Sequence, residues 1–129
     1  MSHHSRLAGF IIDCKDSQLE PAAAFWSAAL GLPILDPNEN ENDKYAVLDG
    51  SPIGLHIEVQ NVEHESRVHL DIESDDIEAE VARLTTLGAV ELSRPHDGRW
   101  VVMQAPTGQK FCVIRMRNPE AGPALNHWA

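Results

Sequence analysis

Apolar and polar residues alternate in several short segments of the chain, and this period of two predicts β-strands. Residues 67–73 (RVHLDIE) are the clearest case, because Val68, Leu70 and Ile72 share one face while the polar residues between them share the other. An apolar run with aromatic and β-branched residues predicts a strand over residues 6–14, and turn signals delimit further predicted strands over residues 44–49, 53–60, 89–94, 99–105 and 110–117.

Two segments have the helical period instead. The first follows the first strand: Ser17 and Glu20 have the spacing of a capping box, and Gly31 is a typical helix end. We expect Phe25 and Trp26 to pack in the core, because they belong to an apolar stripe of five residues: Ala22, Phe25, Trp26, Ala29 and Leu30.

The second predicted helix follows residues 67–73. Asp75 and Glu78 have the spacing of a cap, and Gly88 ends the helix. Its predicted core face consists of Ile77, Val81, Leu84 and Leu87.

The order of elements is strand, helix and several short strands, and it then repeats. We therefore predict an α+β domain of two βαβββ units, residues 6–61 and 66–117, followed by an extended tail over residues 118–129. The repeat depends on the order of elements more than on residue identities. The acidic segment 36–43 is predicted to be a solvated loop, with a lid over the binding site as the alternative.

Length and charge narrow the classes to which this protein can belong. A chain of 129 residues with 43% apolar residues predicts one globular domain. Ten basic residues against 20 acidic ones give a net charge of −10, which argues against a nucleic-acid partner. No apolar run is long enough to span a membrane and no signal peptide is evident, so we expect a cytoplasmic protein. Cys14 and Cys112 are too few for a disulfide framework and are expected to be reduced.

Three segments carry a family resemblance: KDSQLEPAAAFWSAALGL, RVHLDIESDDIEAEVARLTTLGA and APTGQKFCVIR. With the duplicated order of elements, they resemble the glyoxalase, bleomycin-resistance protein and extradiol-dioxygenase superfamily, also called the vicinal oxygen chelate superfamily, and its small glyoxalase-like branch in particular. The resemblance implies that each βαβββ unit forms half of a cupped mixed sheet with helices outside. It also implies a homodimer with a cavity for a small-molecule ligand.

In metal-dependent members of that superfamily, four strand positions supply the metal ligands. The resemblance places these positions on Gly9, Glu58, His69 and Cys112. Glycine has no side chain to offer, and Cys112 replaces the usual carboxylate. We expect Cys112 to be a packing residue, because it follows Phe111 in an apolar strand; a soft thiolate ligand is the alternative.

Strand parity puts His56, Glu58 and Gln60 on one polar face. Together with His69, His56 and Glu58 have the composition of a two-histidine, one-carboxylate site for Fe, Mn, Ni or Zn. The alternative is a solvated polar face on which His56 and Glu58 form a simple hydrogen-bonded pair.

Other side chains are candidates for catalysis and ligand binding. Glu58 and Asp71 are candidate bases, because a carboxylate can take a proton next to a carbonyl group; Asp13 and Glu73 are further carboxylates of this kind. Trp100, His96 and Gln60 are candidate substrate-binding residues, with Trp100 equally compatible with sheet packing.

Two functions remain open at this point. The first is a glyoxalase-like enzyme acting on an oxygen-bearing small molecule with a divalent metal. The second is a metal-free protein that binds a drug or metabolite, as bleomycin-resistance proteins do, and Gly9 favours it.

Overall fold

A computed structural model describes residues 2–16, 18–35 and 45–129. The fold class is α+β with mixed strand pairing, as predicted. Its strands and two longer helices in chain order are β1 (His3–Lys15), α1 (Leu19–Leu30), β2 (Tyr45–Leu48), β3 (His56–Val62), β4 (Arg67–Ser74), α2 (Ile77–Thr86), β5 (Val90–Ser93), β6 (Trp100–Gln104), β7 (Lys110–Arg115) and β8 (Asn126–Trp128). A short 3-10 helix, Ser51–Ile53, precedes β3, and a single helical turn, Pro95–Gly98, precedes β6. The predicted loop over residues 36–43 lies outside the described residues.

Contacts between residues divide the chain into two compact units. The first unit is Gly9–Val68, and the second joins the N-terminal residues up to Ala8 to His69–Ala129. Strand β1 therefore belongs to both units, its first half to the second unit and its remainder to the first.

The first unit is built on three strands in the order β2-β3-β1. β1 is parallel to β3, and β2 is antiparallel to β3. One face of these strands forms a core of Ile12, Cys14, Leu48, Ile57 and Val59, against which α1 packs. The described residues of this unit show the order β-α-β-β, with an isolated bridge between Ile34 and Leu48.

Helix α1 packs through a face that is shifted from the predicted one: Ala22 and Trp26 of the predicted stripe contact the core, whereas Phe25 and Leu30 are exposed. Ala23 is its buried residue, and Ala22 and Trp26 lie against the core, whereas Phe25 is 61% exposed. The prediction that Phe25 is a core residue is therefore wrong, because the alanines around it allow more than one apolar face. The helix begins at Leu19 with Gln18 as the N-cap residue and no side-chain cap; Ser17, the predicted cap, lies outside the described residues.

The second unit contains strands in the order β4-β7-β6-β5, with β4 parallel to β7 and the other pairs antiparallel. Helix α2 packs on one face of this sheet. The core beneath it consists of Val81, Leu84, Ala89, Val101, Met103 and Val113.

The start of α2 is one residue later than the predicted cap. Asp76 is the N-cap, and its carboxylate accepts a hydrogen bond from the Ala79 N–H at 3.1 Å. Asp75 instead accepts a hydrogen bond from the backbone N–H of His4 at 2.7 Å and pairs with the His4 ring at 2.8 Å. A long-range partner therefore takes the carboxylate that local spacing assigned to the cap.

The predicted tail contains a strand that the sequence analysis did not anticipate. β8 pairs antiparallel with β1, with His3 opposite Trp128 and Ser5 opposite Asn126. The Trp128 Nε1 donates to Ser5 Oγ at 2.7 Å, and the Arg83 guanidinium lies 3.9 Å above the Trp128 ring. Residues 118–129 thus contribute to the second unit.

A fully buried carboxylate lies next to this strand pair. Glu80 is 2.8 Å from His3 Nε2 and accepts two hydrogen bonds of 2.8 Å from Arg83. Burial by itself would raise the pKa of Glu80, but hydrogen bonds from Arg83, His3 and Ser5 outweigh it and lower that pKa. His3 is therefore a structural residue of the second unit.

Among the helices that the structure describes, none has the length and apolar character needed to cross a membrane.

Candidate functional site

The polar face of the first unit carries three side chains of β3, as strand parity predicted. His56, Glu58 and Gln60 lie opposite Gly9, Ile11 and Asp13 of β1. Atoms Nε2 of His56 and Oε1 of Glu58 are 2.7 Å apart, which is hydrogen-bonding distance. The His56 side chain is 46% exposed and that of Glu58 is 23% exposed, so solvent can reach the pair through the histidine.

Gly9 cannot contribute a ligand, and the structure explains why. A Cβ atom at Gly9 would lie 1.7 Å from the carbonyl oxygen of His56. The backbones of β1 and β3 therefore approach so closely at this point that no side chain fits. Gly9 corresponds to the first ligand position of the superfamily, and no larger residue fits there while β1 and β3 keep this pairing.

A second feature of the first unit was not predicted. An open cleft of about 460 Å³ is lined by Asp13, Phe25, Trp26, Arg67 and Val68, among others. The Phe25 and Trp26 rings meet edge to face with centroids 5.0 Å apart, and Arg67 Nε lies 3.5 Å from the buried Asp13 carboxylate. The cleft thus combines an aromatic wall with an ion pair. Exposure of Phe25, which sequence periodicity assigned to the core, creates this wall.

The polar face of the second unit brings three potential metal ligands together. His69 and Asp71 are two residues apart on β4, and Asp71 lies directly opposite Cys112 of β7. The imidazole, carboxylate and thiol ligand atoms all lie within 4.8 Å of one another. The alternation of β4 predicted the first two residues of this cluster. Cys112, expected to be a packing residue, is half-buried beside them.

The distances in this cluster fit a metal ion. His69 Nε2 and Asp71 Oδ1 are 3.7 Å apart, whereas two ligand atoms that each lie about 2.1 Å from a tetrahedral ion are roughly 3.4 Å apart. A side-chain adjustment of a few tenths of an ångström would close this difference. The donor set also suits a divalent ion, because it combines imidazole, carboxylate and thiol groups.

Glu73, the next residue on this face of β4, has a different partner. Its Oε1 accepts a hydrogen bond of 2.6 Å from Arg6 Nε, and the buried Arg6 also donates to the carbonyl oxygens of Asn118 and Pro123. Glu73 therefore holds a structural arginine, which makes it a poorer candidate base than Asp71.

Trp100 and His96, two predicted substrate-binding residues, contact each other. Their ring centroids are 4.7 Å apart at an angle of 39°. His96 lies in the tight turn Pro95–Gly98, where it and Asp97 both have positive φ angles, of 52° and 60°. Such a conformation is uncommon for residues other than glycine and costs free energy. The turn sets the His96 ring against Trp100.

The structure therefore groups the predicted site residues into three sets. The first unit contains one set, which consists of His56, Glu58 and Gln60. The second unit contains two sets: His69 and Asp71 with Cys112, and His96 with Trp100. Cys112, for which the sequence analysis favoured packing, is the member of these sets that was not among the predicted site residues. The signal for it was its place at a ligand position of the superfamily.

Comparison with known proteins gives a family and a fold. Residues 9–114 match the model of the glyoxalase-like domain. No match was found among curated protein sequences.

Several solved structures have similar folds. A hypothetical protein, BH1468 from Bacillus halodurans C-125, is 15% identical, with a TM-score of 0.62 over 88% of this chain and 95% of that one. A variant of the Streptomyces coelicolor methylmalonyl-CoA epimerase, in complex with 2-nitronate-propionyl-CoA, is 18% identical, with a TM-score of 0.59 over 92% of this chain and 98% of that one.

A third similar structure is the Mn(II)-bound glyoxalase from Novosphingobium aromaticivorans. It is 18% identical, with a TM-score of 0.58 over 89% of this chain, which spans 40% of that longer protein. At these identities the structural likeness establishes the fold alone. The family-model match covers most of the sequence, so the chain belongs to the glyoxalase-like domain family.

Proposed function

We propose that this protein is a glyoxalase-like enzyme that acts on an oxygen-bearing small molecule with the help of a divalent metal ion. The observation that carries the proposal is the convergence of His69, Asp71 and Cys112 within 4.8 Å. Imidazole, carboxylate and thiol groups that lie this close together offer three types of metal ligand at one place. When bound, the ion would polarise a carbonyl or enediolate oxygen.

Glu58 is the proposed base. Its carboxylate is partly buried and pairs with His56 at 2.7 Å, and the exposed His56 can pass a proton on to water. The sequence-based alternative, in which Glu58, His56 and His69 are all metal ligands, remains a proposal that the same experiment tests.

His96, Trp100 and Gln60 are proposed to bind the substrate. The His96 and Trp100 rings, tilted by 39° to each other, offer an aromatic contact to a planar group, and the Gln60 amide can donate or accept a hydrogen bond. Because a methylmalonyl-CoA epimerase has a similar fold, acyl-CoA esters belong among the substrates to be screened.

A homodimer and a cytoplasmic location also remain proposals. Light scattering of the purified protein tests whether it is a homodimer.

The experiment begins with elemental analysis of tag-free protein purified without chelators. We expect about one divalent ion per chain, which His69→Ala removes. Glu58→Ala should keep the ion and lose turnover in a screen of lyase, isomerase and oxygenase substrates. Loss of the ion in Glu58→Ala would instead favour Glu58 as a ligand, and metal-free protein that also ignores added divalent ions would contradict the metal-dependent mechanism.

One set of observations favours a second function, a metal-free binding protein. Gly9 closes one ligand position of the superfamily, and the aromatic cleft beside Trp26 could hold an apolar ligand. This function predicts that small aromatic molecules raise the melting temperature in the presence of a chelator. Trp26→Ala should abolish the effect, whereas His69→Ala should leave it intact.

A further inference from the structure

We infer that His69, Asp71 and Cys112 form a self-contained three-ligand site in the second unit for one thiophilic divalent cation of the Zn²⁺ class. The inference deepens the proposed function, since it specifies how the ion of that enzyme is held. It differs from the four-position arrangement of the superfamily, because Asp71 is outside those positions and because a thiolate takes part.

The backbone prepares this site. His69 and Asp71 share one face of β4 because they are two residues apart, and the parallel register sets Cys112 directly opposite Asp71. All three ligands therefore project from two hydrogen-bonded strands of one sheet. Ligands on strands are held more precisely than ligands on loops.

The donor set selects the kind of metal. A coordinating cysteine is deprotonated, so thiolate and carboxylate together would bring two negative charges to a divalent cation. Thiolate ligands favour Zn²⁺ and other soft or borderline ions, whereas Mg²⁺ and Ca²⁺ prefer oxygen ligands alone. Three protein ligands would leave a fourth tetrahedral position for water or substrate, which is the pattern of catalytic rather than structural zinc sites.

The described residues of the second unit offer these three side chains as ligands in a partly shielded position. The His69 and Asp71 side chains are 14% and 12% exposed, so an ion can enter and is still shielded from bulk solvent. Glu73, the next acidic residue on this face, already accepts a hydrogen bond from Arg6. No other group of three such side chains close enough to hold an ion occurs in the part of the chain that the structure describes.

The chain offers a matched control for the thiolate. Cys14 is buried in the core under α1, and its Sγ donates to the Ile12 carbonyl oxygen at 3.7 Å. Burial, together with the negative charge of Asp13, raises the pKa of the Cys14 thiol. Cys14 should therefore stay protonated and away from metal, whereas Cys112 should bind it.

The test uses Co²⁺ as a spectroscopic probe on the full-length protein. A thiolate bound to Co²⁺ gives an intense charge-transfer absorption in the near ultraviolet, which imidazole and carboxylate ligands do not give. We expect the wild-type protein to bind one Co²⁺ per chain with this absorption and Zn²⁺ to displace the ion. Cys112→Ser should lose the absorption, Cys14→Ser should keep it, and Asp71→Asn should weaken affinity by at least about tenfold, as for disturbed metal sites in general.

The outcomes separate this inference from the proposed function. Binding of one Co²⁺ without the absorption, and its loss in Glu58→Ala, would overturn the thiolate site and leave a metal-dependent enzyme intact. An absorption that persists in Cys112→Ser would also overturn the inference. Failure of the wild-type protein to bind Co²⁺ or Zn²⁺ would overturn both. Circular dichroism of each variant verifies that the fold is retained.

Discussion

Gly9 shows how a single residue can decide which chemistry is open to a site. Its missing side chain lets the β3 backbone approach to a distance at which a Cβ atom would overlap the His56 carbonyl oxygen. We expect Gly9→Ala to lower the free energy of unfolding by about 3 kcal/mol, because the strands must separate or bend. Urea denaturation measures this change. A variant as stable as the wild type would contradict the close approach of β1 and β3.

Glu80 makes a prediction about pH. Its pKa is lowered in the folded protein, so its stabilising contribution is present above the ordinary value of 4.5 and is lost as the pH falls through the folded-state value. Glu80→Gln should therefore cost about 2 kcal/mol at neutral pH, where hydrogen bonds to a charged group are lost. The difference between wild type and variant should shrink below pH 4.5.

Denaturation curves between neutral pH and a pH well below the ordinary glutamate pKa measure this difference in stability. Glu78→Gln is the matched control, because Glu78 is on the same helix but its pair with Arg94 is exposed to solvent. A gap between wild type and Glu80→Gln that stays constant with pH would contradict the assignment.

At the residue scale, sequence alone anticipated the polar faces but not all of the contacts. Alternation along β4 predicted that His69 and Asp71 share one face, and the structure brings their side chains together. Alternation along β3 predicted the same for His56 and Glu58, which lie at hydrogen-bonding distance. The third member, Cys112, was assigned to packing because its neighbours are apolar. Its contact with Asp71 depends on the register of two strands far apart in sequence, which local patterns do not determine.

At the scale of elements, β8 is the strand whose contribution is easiest to measure. Trp128→Ala removes a hydrogen bond to Ser5 and a cation–π contact with Arg83. We expect a loss of about 2 kcal/mol in the free energy of unfolding and faster hydrogen exchange in residues 3–5. His127→Ala is the control: His127 stacks on His4 at 4.7 Å, but it is exposed, so its replacement should have little effect.

The orientation of α1 makes a second prediction at this scale. Phe25 is 61% exposed, so Phe25→Ala should change the free energy of unfolding by less than about 1 kcal/mol. Leu48→Ala should cost about 2–5 kcal/mol, because Leu48 is buried in the core beneath α1. Thermal or urea denaturation of both variants provides the measurement. Equal losses would mean that the predicted apolar stripe, and not the observed face, packs on the sheet.

Helices and strands were predicted well where the pattern of apolar residues is strong. They were predicted less well where a side chain has a tertiary partner that competes with the local one. The seven predicted strands are present, several of them with ends shifted by a few residues. The cap of α2 moved from Asp75 to Asp76 because His4 binds Asp75. On α1, Trp26 packs in the core as predicted, but Phe25 was misassigned because alanine fits both a buried and an exposed position. Tertiary contacts decided both cases, and single-sequence patterns do not contain them.

At the scale of the whole molecule, metal binding should appear as stability. A ligand that binds the folded state alone stabilises it by about 2.7 kcal/mol at roughly 100 times its dissociation constant. If His69, Asp71 and Cys112 hold the ion, Zn²⁺ should raise the melting temperature by several degrees. Cys112→Ser should lose this increase and Cys14→Ser should keep it, as scanning fluorimetry would show. An equal increase in all three proteins would mean that the zinc binds elsewhere.

The division into two βαβββ units was inferred from the order of elements and stays a prediction, because the described part of the first unit shows the order β-α-β-β. The sequence did not reveal the part played by the outer segments. His3 and the residues around Trp128 have no apolar period to mark them, yet they pair as strands. A three-residue strand is too short for periodicity to detect.

The pairing of β1 with β8 also bears on how such proteins can recombine. Most of the second compact unit, His69–Ala129, follows β3 in the sequence, but the residues of β1 that pair with β8 lie near the start of the chain. A chimera that exchanges everything after β3 with a homologue would separate these two strands and place mismatched side chains opposite each other. A chimera that keeps this strand pair would have to exchange residues 3–5 as well. The exchanged segments would therefore not be contiguous in the sequence.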